Sequence, residues 1–395
     1  MPCVLVVSEK YWPEGGGAER ATHSLIKYLS SKGFEITVLT GTPNPSPIKN
    51  VKFIYEPLLR SSRKIQIWIN SFMLKSTRRY KKILENSDII YIPGIVYPLL
   101  METTNKKFIV HLHNYQPIQY TQFILSPYEK ISNLISSPVL DYYLGKLEYS
   151  HAIYGLGAAS LNIFNKLNKQ AIKKAHIILF PSKRQRDLIT SNIPEVSDRA
   201  ITIPNPPPEI SNIKNLSKSE IPVIVYAGGK SKVKGLHIAL NVILQLSTEK
   251  YKFEAYMLGM SAHPRVINEH ASKILLYPKL PHHEVLKLLS RSWALLFTSI
   301  IEEPFPYIVY EAALLGALPV STNVGGVLEM LEGTMGQQYV VDIHDYQNMI
   351  GKITHVISAS LDDFIGISKS LARQMKEKYN ENNILNTYLK IFGDV

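Results

Sequence analysis

Glu303 and Glu311 stand eight residues apart in the run Glu302-Glu303-Pro304-Phe305-Pro306-Tyr307-Ile308-Val309-Tyr310-Glu311-Ala312. The first carboxylate falls in a loop after an apolar, strand-like run. The second falls about one turn into the helix that follows. Carboxylates so placed suit hydrogen bonds from sugar hydroxyls, one on a hexose and one on a ribose. A solvated pair of acids at a helix start gives the same pattern. Further on, Gly316-Ala317-Leu318-Pro319-Val320 leads into a strand, and Gly325-Gly326 makes a turn whose N–H groups suit a diphosphate. Upstream, Tyr226-Ala227-Gly228-Gly229-Lys230 and Lys234-Gly235 join a strand, a glycine turn and a helix start rich in cations. Lysine is a point-charge partner for phosphate. The pattern is not a P-loop, which needs Gly-x4-Gly-Lys-Ser/Thr. A merely solvated loop is the alternative, and the better one for Lys232.

Two further clusters lie near the N-terminus. Gly15-Gly16-Gly17-Ala18-Glu19 separates a first strand from a first helix, where glycine lets a backbone approach a ligand and free N–H groups hold an anion. It is not the dinucleotide fingerprint, since Arg20 stands where the last glycine belongs. His111-Leu112-His113-Asn114-Tyr115 closes an inner strand, and alternation puts His111 and His113 on one sheet face. Two histidines at this spacing without a nearby Cys or acid ligand are poor grounds for zinc. Polar residues hydrogen-bonded at a strand end account for His111 equally well.

The elements that position these residues follow from the periodicity. Residues 3–8 form an apolar strand, 18–32 carry Ala21, Leu25, Tyr28 and Leu29 at helical spacing, Gly33 ends the helix, and 35–40 return as a strand. Strands are expected at 51–55, 88–92 and 108–112. Ile203-Pro204-Asn205-Pro206-Pro207-Pro208 interrupts the alternation, because proline continues neither a helix nor a central strand. The linker is expected there and across residues 211–220. A second alternation follows, with strands at 223–226, 254–259, 273–277, 294–298 and 318–322 and helices from 236, at 282–290 and at 307–315. The expected fold class is α/β, two Rossmann-like domains facing a cleft.

Composition sets the outer bounds. The 395 residues fit about two domains. An apolar fraction of 45% and a charged fraction of 19% exclude wholesale disorder. No apolar run approaches the roughly 20 residues that span a bilayer. With one cysteine, Cys3, and no signal-like N-terminus, a cytoplasmic protein is expected, with peripheral attachment to the cytoplasmic membrane face left open. The net charge of +12 is one-sided: residues 1–210 carry 26 Lys/Arg against 15 Asp/Glu, and residues 211–395 carry 18 against 17. Such a field favours an anionic partner near the first half. Nucleic acid is not expected, since no helix-turn-helix, zinc-finger or RRM signature is present.

Taken together these stretches resemble the family 4 retaining glycosyltransferases over almost the whole chain. The Gly-Gly-x-Glu loop is Gly16 to Glu19, the His-Asn motif is His113-Asn114, and the Ile-Pro-Asn linker motif is Ile203 to Asn205. The phosphate-binding turn runs from Tyr226 to Gly235, and the Glu-x7-Glu signature is Glu303 to Glu311, with the Gly-x-Pro-Val-like and Gly-Gly turns following in order. The resemblance implies a GT-B fold. An acceptor-binding domain would span 1–205, rejoined by a crossover helix at about 378–395. A nucleotide-sugar-binding domain would span 206–377. It implies transfer of a hexose-type sugar from a nucleotide diphosphate, with retention, without a metal or cofactor. It assigns Lys234 to the donor phosphates, Glu303 to the transferred sugar, Glu311 to the ribose and His113 to the sugar near its reacting carbon. Gly16, Gly17, Gly325 and Gly326 border the diphosphate, with Gly229 and Lys230 in the phosphate turn and Phe305 and Tyr307 offering amides. The chain departs from the family pattern at Gly229, where arginine is usual, and at Pro306, where glycine is usual. A catalytically silent scaffold and an enzyme acting on soluble sugars are the alternative readings.

On the acceptor side, residues 60–82 interleave eight basic residues with Ile65, Trp68, Ile69, Phe72 and Met73. Such a stretch suits an anionic membrane carrying a glycan or lipid-linked acceptor, and equally a core helix with a solvated basic face. The tyrosines between 115 and 154 suit sugar or lipid contacts, or the packing of a helical excursion.

Overall fold

In the computed structural model the chain divides into two compact units. One comprises residues 1–123, 158–208 and 380–395, the other residues 124–157 and 209–379. The structure describes residues 2–102, 104–132, 134–149, 151–210, 217–249 and 251–394. The middle of the expected linker, residues 211–216, therefore lies outside the described residues.

The first unit is built on β1 (Cys3–Ser8), β2 (Glu35–Thr40), β3 (Val51–Tyr55), β4 (Ile89–Ile92), β5 (Lys107–His111), β6 (Ile177–Phe180) and β7 (Ala200–Thr202), in the spatial order β3-β2-β1-β4-β5-β6-β7. Its strand pairings are all parallel. Parallel strands covered on both faces read as continuous apolar runs, and β4 accordingly is buried along its whole length. Chain order reverses between β1 and β4, the switch point beyond which open α/β sheets bind ligands. The glycine loop follows β1, and His111 is the last residue of β5. The strands β6 and β7 escape the sequence pattern because runs of four and three residues are too short for periodicity to separate strand from helix. The last helix, Glu381–Gly393, packs within this unit. Tyr28 Oη donates to Asn386 Oδ1 at 2.8 Å, Tyr388 Oη donates to the Pro204 carbonyl at 3.3 Å, and Phe392 meets Tyr91 edge-on at 5.4 Å between ring centres.

The second unit carries β8 (Val223–Tyr226), β9 (Glu254–Leu258), β10 (Arg265–Glu269), β11 (Ser272–Tyr277), β12 (Ala294–Phe297), β13 (Leu318–Thr322) and β14 (Val340–Val341), in the order β10-β11-β9-β8-β12-β13-β14. Among the pairings of these seven strands in the described residues, only the edge pair β10–β11 is antiparallel. The sequence reading omits β10, whose exposed residues lack a buried face and so leave no apolar alternation. Trp293 stacks on Phe364 at 4.3 Å and donates its indole N–H to the Ser219 carbonyl at 2.8 Å. Buried Lys218 donates to the carbonyls of Ser292 and Leu315 at 2.8 and 3.0 Å. These close the helices His282–Arg291 and Tyr307–Leu314, whose C-terminal dipole ends favour a cation.

One boundary differs from the sequence reading, which keeps 124–157 with residues 1–205. This excursion clusters with the second unit because its backbone bonds there. Leu125 and Ile301 form an antiparallel bridge, Ser126 N donates to Ile300 O at 3.0 Å, and Glu302 N donates to Ile124 O at 2.8 Å.

Candidate active site

In the second unit the loop after β8 must turn sharply into the Leu236–Thr248 helix. Gly235 makes that turn at φ +74°, and a Cβ there would overlap the Thr298 carbonyl. The Thr298 hydroxyl donates to the carbonyls of Lys234 and Gly235 at 3.1 and 2.9 Å. The lysine loop is thus tied to the end of β12. From there the Lys234 ammonium reaches Glu303 Oε1 at 2.5 Å, and the Ser299 hydroxyl donates to the same oxygen at 2.8 Å. Gly325 and Gly326 close on Glu303 from the other side. Gly326 N donates to the Glu303 carbonyl at 2.8 Å. Gly325, at φ +55°, leaves no room for a Cβ, which would lie 2.1 Å from that same oxygen. Lys234, Glu303, Gly325 and Gly326 are therefore one hydrogen-bonded assembly, although 92 residues separate the first from the last.

Glu302, which the sequence reading leaves without a role, holds this assembly in place. It is buried, accepts from Gly325 N at 2.8 Å through Oε2, and accepts from Tyr128 N at 3.2 Å through Oε1. Glu148 of the same excursion accepts from the Ser231 hydroxyl at 2.8 Å and from Val233 N at 3.4 Å, while Lys234 N donates to the Ser231 oxygen at 3.3 Å. A long insertion thus braces both the lysine loop and the Glu303 loop. No local signal marks Glu148 or Ser231, since their partners are 83 residues apart in sequence.

Glu311 is fully buried one turn into the Tyr307–Leu314 helix, and its Oε1 meets His282 Nε2 at 2.8 Å. Phe305 and Tyr307 are also buried, their rings edge-on at 6.4 Å, and Phe305 continues onto Tyr310 and Tyr379. Their side chains pack the loop that their amides belong to. Lys230 and Lys232 are exposed. Gly229 takes φ +61°, and its carbonyl accepts from Tyr226 Oη at 3.3 Å.

The remaining expected residues lie in the first unit. Gly16 caps the Gly17–Ser31 helix, and its N–H donates to Glu19 Oε2 at 2.7 Å, so the loop's own glutamate takes one of the amide donors at that helix start. His111 and His113 do share a face, with ring centres 4.1 Å apart. His111 Nδ1 lies 2.8 Å from Tyr91 Oη. Burial drives His113 down to about 3 and His111 well below its ordinary range, so both rings are neutral near pH 7. His113 Nε2 is buried with no hydrogen-bond partner among the described residues. A neutral imidazole in this state suits hydrogen bonding to a ligand rather than proton delivery. Glu9, just past β1, went unmarked in the sequence. Its Oε2 accepts from Ile95 N at 3.1 Å in the space left by Gly94, and burial raises its carboxyl to about 7.

The basic stretch 60–82 folds as the helices Lys64–Lys75 and Arg78–Glu85. Much of it is spent on packing. Ile67 and Leu74 are buried, and Trp68 meets Phe72 and Phe164 edge-on and donates to Asn168. Arg60 pairs with Glu14 at 2.6 Å, and Lys64 donates to the Thr121 carbonyl at 2.6 Å. Ile69 and Met73 remain as exposed apolar residues. Among the described residues no helix is long and apolar enough to cross a membrane, and no group of three or more His, Cys, Asp or Glu is arranged to hold a metal ion.

Residues 15–206 match the family model described as Glycosyltransferase Family 4, and residues 209–380 match Glycosyl transferases group 1. No curated protein matches the sequence. The fold is similar over the full length to the sucrose-phosphate synthase of Thermosynechococcus elongatus, at 14% identity, TM-score 0.68 and 100% of both chains covered. It is similar to a glycosyltransferase of Rickettsia africae at 16% identity and TM-score 0.64, covering 100% of this chain and 98% of that one. Anabaena HepE in complex with UDP-glucose aligns at 14% identity and TM-score 0.65, with 100% of both chains covered. The two parallel-rich sheets with these full-length neighbours are the GT-B fold.

Proposed function

Since the chain belongs to the family 4, GT-B glycosyltransferases, we propose that it transfers a hexose-type sugar with retention from a nucleotide diphosphate donor to a glycan or lipid-linked acceptor, without a metal. The observation that carries this reading is the Lys234–Glu303 pair, backed by Ser299 and enclosed by the Gly325-Gly326 turn. A lysine suited to phosphate, a carboxylate suited to sugar hydroxyls and a backbone turn stand in one hydrogen-bonded assembly, which supports this reading.

In this mechanism the acceptor hydroxyl oxygen bonds to the anomeric carbon on the face that the leaving group vacates. The carbon–oxygen bond to the diphosphate breaks, and the departing phosphate oxygen takes the acceptor's proton. Lys234 stabilises the charge that grows on the diphosphate, a stabilisation stronger in the transition state than in the bound donor. Glu303 accepts from hydroxyls of the transferred sugar, and Glu311, held by His282, accepts from the ribose. His113 offers a neutral imidazole to the sugar, and Gly16 and Gly17 border the diphosphate. Phe305 and Tyr307 supply the amides left between Pro304 and Pro306, and Lys230 supplements Lys234 where Gly229 replaces the family's arginine.

UDP-glucose is the first donor to try, because HepE binds it. The test is slow donor hydrolysis across a panel of nucleotide sugars, with Glu303→Ala alongside and with a chelator added. One released nucleoside diphosphate, insensitive to chelator and lost in the variant, supports the reading, and the anomeric configuration of the product by NMR decides retention. Failure of every nucleotide sugar to bind favours the silent scaffold.

A further inference from the structure

The open edge of the second unit's sheet is the strand β10, Arg265-Val266-Ile267-Asn268-Glu269. Its first four residues are exposed, Val266 at 56% and Ile267 at 43%. β11 holds one side of it, and no strand among the described residues pairs with the other. Which backbone groups face outward follows from the register. The two-residue turn His270-Ala271, with His270 at φ +52°, closes on Glu269 opposite Ser272, and such a turn closes on a hydrogen-bonded pair. On the far side of β11, Lys273 N donates to Phe253 O, so the odd-numbered residues of β11 turn to β9 and the even-numbered ones to β10. Both facts give Arg265, Ile267 and Glu269 the backbone bonds to β11. The N–H and C=O groups of Val266 and Asn268 therefore point away from the sheet. Edges of this kind are commonly blunted by lysine, proline or a bulge. β10 contains no lysine or proline, and its register with β11 runs without a bulge.

We infer that β10 pairs antiparallel with β10 of a second copy of this chain, about a two-fold axis at Ile267, so that the two sheets run on as one. Charge selects this occupant. Pairing centred on Ile267 sets Arg265 opposite the partner's Glu269, and Glu269 opposite the partner's Arg265. Within one chain these two residues stand four positions apart on one face of the strand, roughly 13 Å, too far to meet. Neither forms an ion pair among the described residues. Parallel pairing in register would set like charges against each other, and a two-residue slip would remove both Arg–Glu pairs. The backbone agrees with the charges. Val266 and the partner's Asn268 meet as a hydrogen-bonded pair on each side of the axis, each exchanging both N–H···O bonds. Ile267 meets the partner's Ile267 in the non-hydrogen-bonded pair, where side chains approach most closely. Ile267 lies opposite Ile274, which is 3% exposed, so the contact extends an apolar row that is already buried. Five residues per chain make a small interface, and a reversible dimer follows rather than a permanent one. The inference concerns assembly and does not depend on the proposed reaction.

The test is sedimentation velocity of the full-length protein from about 1 to about 300 µM. The wild type is expected to pass from monomer to dimer across this range. Arg265→Glu sets acid against acid on both sides of the axis, and Glu269→Arg sets base against base. Each is expected to weaken the dimer about tenfold or more. The double variant, Arg265→Glu with Glu269→Arg, restores both pairs in reverse and is expected to dimerise like the wild type. Melting temperatures at low concentration, unchanged in all three, read folding separately. The register is read by cross-linking in a Cys3→Ser background, which removes the one native cysteine. There Ile267→Cys, on the axis, is expected to form a disulfide dimer on oxidation faster than Asn268→Cys, which faces Val266 of the second copy. The inference is overturned by a wild type that stays monomeric at the highest concentration, by single variants that dimerise as well as wild type, by a double variant as weak as the single ones, or by faster cross-linking at position 268.

Discussion

The ammonium of Lys234 lies 2.5 Å from Glu303 Oε1, and the Ser299 hydroxyl shares that oxygen at 2.8 Å. Both charged groups are thereby oriented before any ligand arrives. Lys234 is the more exposed end of the pair, 35% against 11% for Glu303, so its ammonium can turn to phosphate while Ser299 keeps the carboxylate in place. Lys234→Ala is expected to lower kcat/KM for donor hydrolysis by about 10²–10³, the scale of removing one donor to developing charge. Glu303→Gln keeps the shape and the Ser299 contact, and is expected to lose about tenfold or more. If Lys234→Ala lowers thermal stability but leaves donor kinetics intact, the pair is only structural.

The Glu148–Ser231 contact makes a separate prediction, because it acts on Lys234 at one remove through the Lys234 N–H to Ser231 bond. Removing either partner should loosen the lysine loop, raising KM for the donor several-fold with little change in kcat. Glu148→Gln retains an acceptor oxygen and should restore most of the affinity. A double-mutant cycle with Ser231→Ala should show a coupling of about 1 kcal/mol, as expected of one part-buried hydrogen bond. Strictly additive losses would sink the idea.

Gly325 sets a steric prediction. With φ +55° and a Cβ position 2.1 Å from the Glu303 carbonyl, no side chain fits without moving that backbone. Gly325→Ala is expected to shift the Glu303 loop and cut donor turnover by at least two orders of magnitude, with a lower melting temperature. Gly333, also at positive φ but with nothing near its Cβ, is the control: Gly333→Ala carries only the backbone strain and should spare turnover. Equal turnover in the two variants would contradict the crowding seen at Gly325.

How much of this was legible in the sequence depends on the reach of each signal. β3, β8 and β13 and the Leu236 helix start form where periodicity puts them, because each is bounded by turn residues within a few positions. Lys234, Glu303 and the Gly325-Gly326 turn were readable as types at spacings, although their convergence became visible only in three dimensions. Glu302, Ser299 and Glu148 were not readable, since their roles consist of bonds to distant loops. The excursion was misplaced for the same reason: a two-residue bridge at Leu125 and Ile301 leaves no periodic trace. At Glu19 the expected anion-binding N–H is met by the loop's own carboxylate, a local contact that composition alone does not reveal.

Glu9 offers a test of burial in the first unit. Desolvation lifts its carboxyl from 4.5 to about 7, against the opposing pull of the Ile95 N–H. Between these values the folded protein binds a proton that the unfolded chain has released. The contribution of Glu9 to stability is therefore full below pH 4.5 and is lost as pH rises through 7. Glu9→Gln cannot ionise, so it should match the wild type near pH 4.5 and become progressively more stable than it up to pH 8. The gain expected at pH 8 is on the order of 1–3 kcal/mol. Urea melts of both proteins from pH 4.5 to 8 measure it. A difference that stays constant over that range would mean that the Glu9 carboxylate reaches water in the folded protein, and that the Gly94 space does not enclose it.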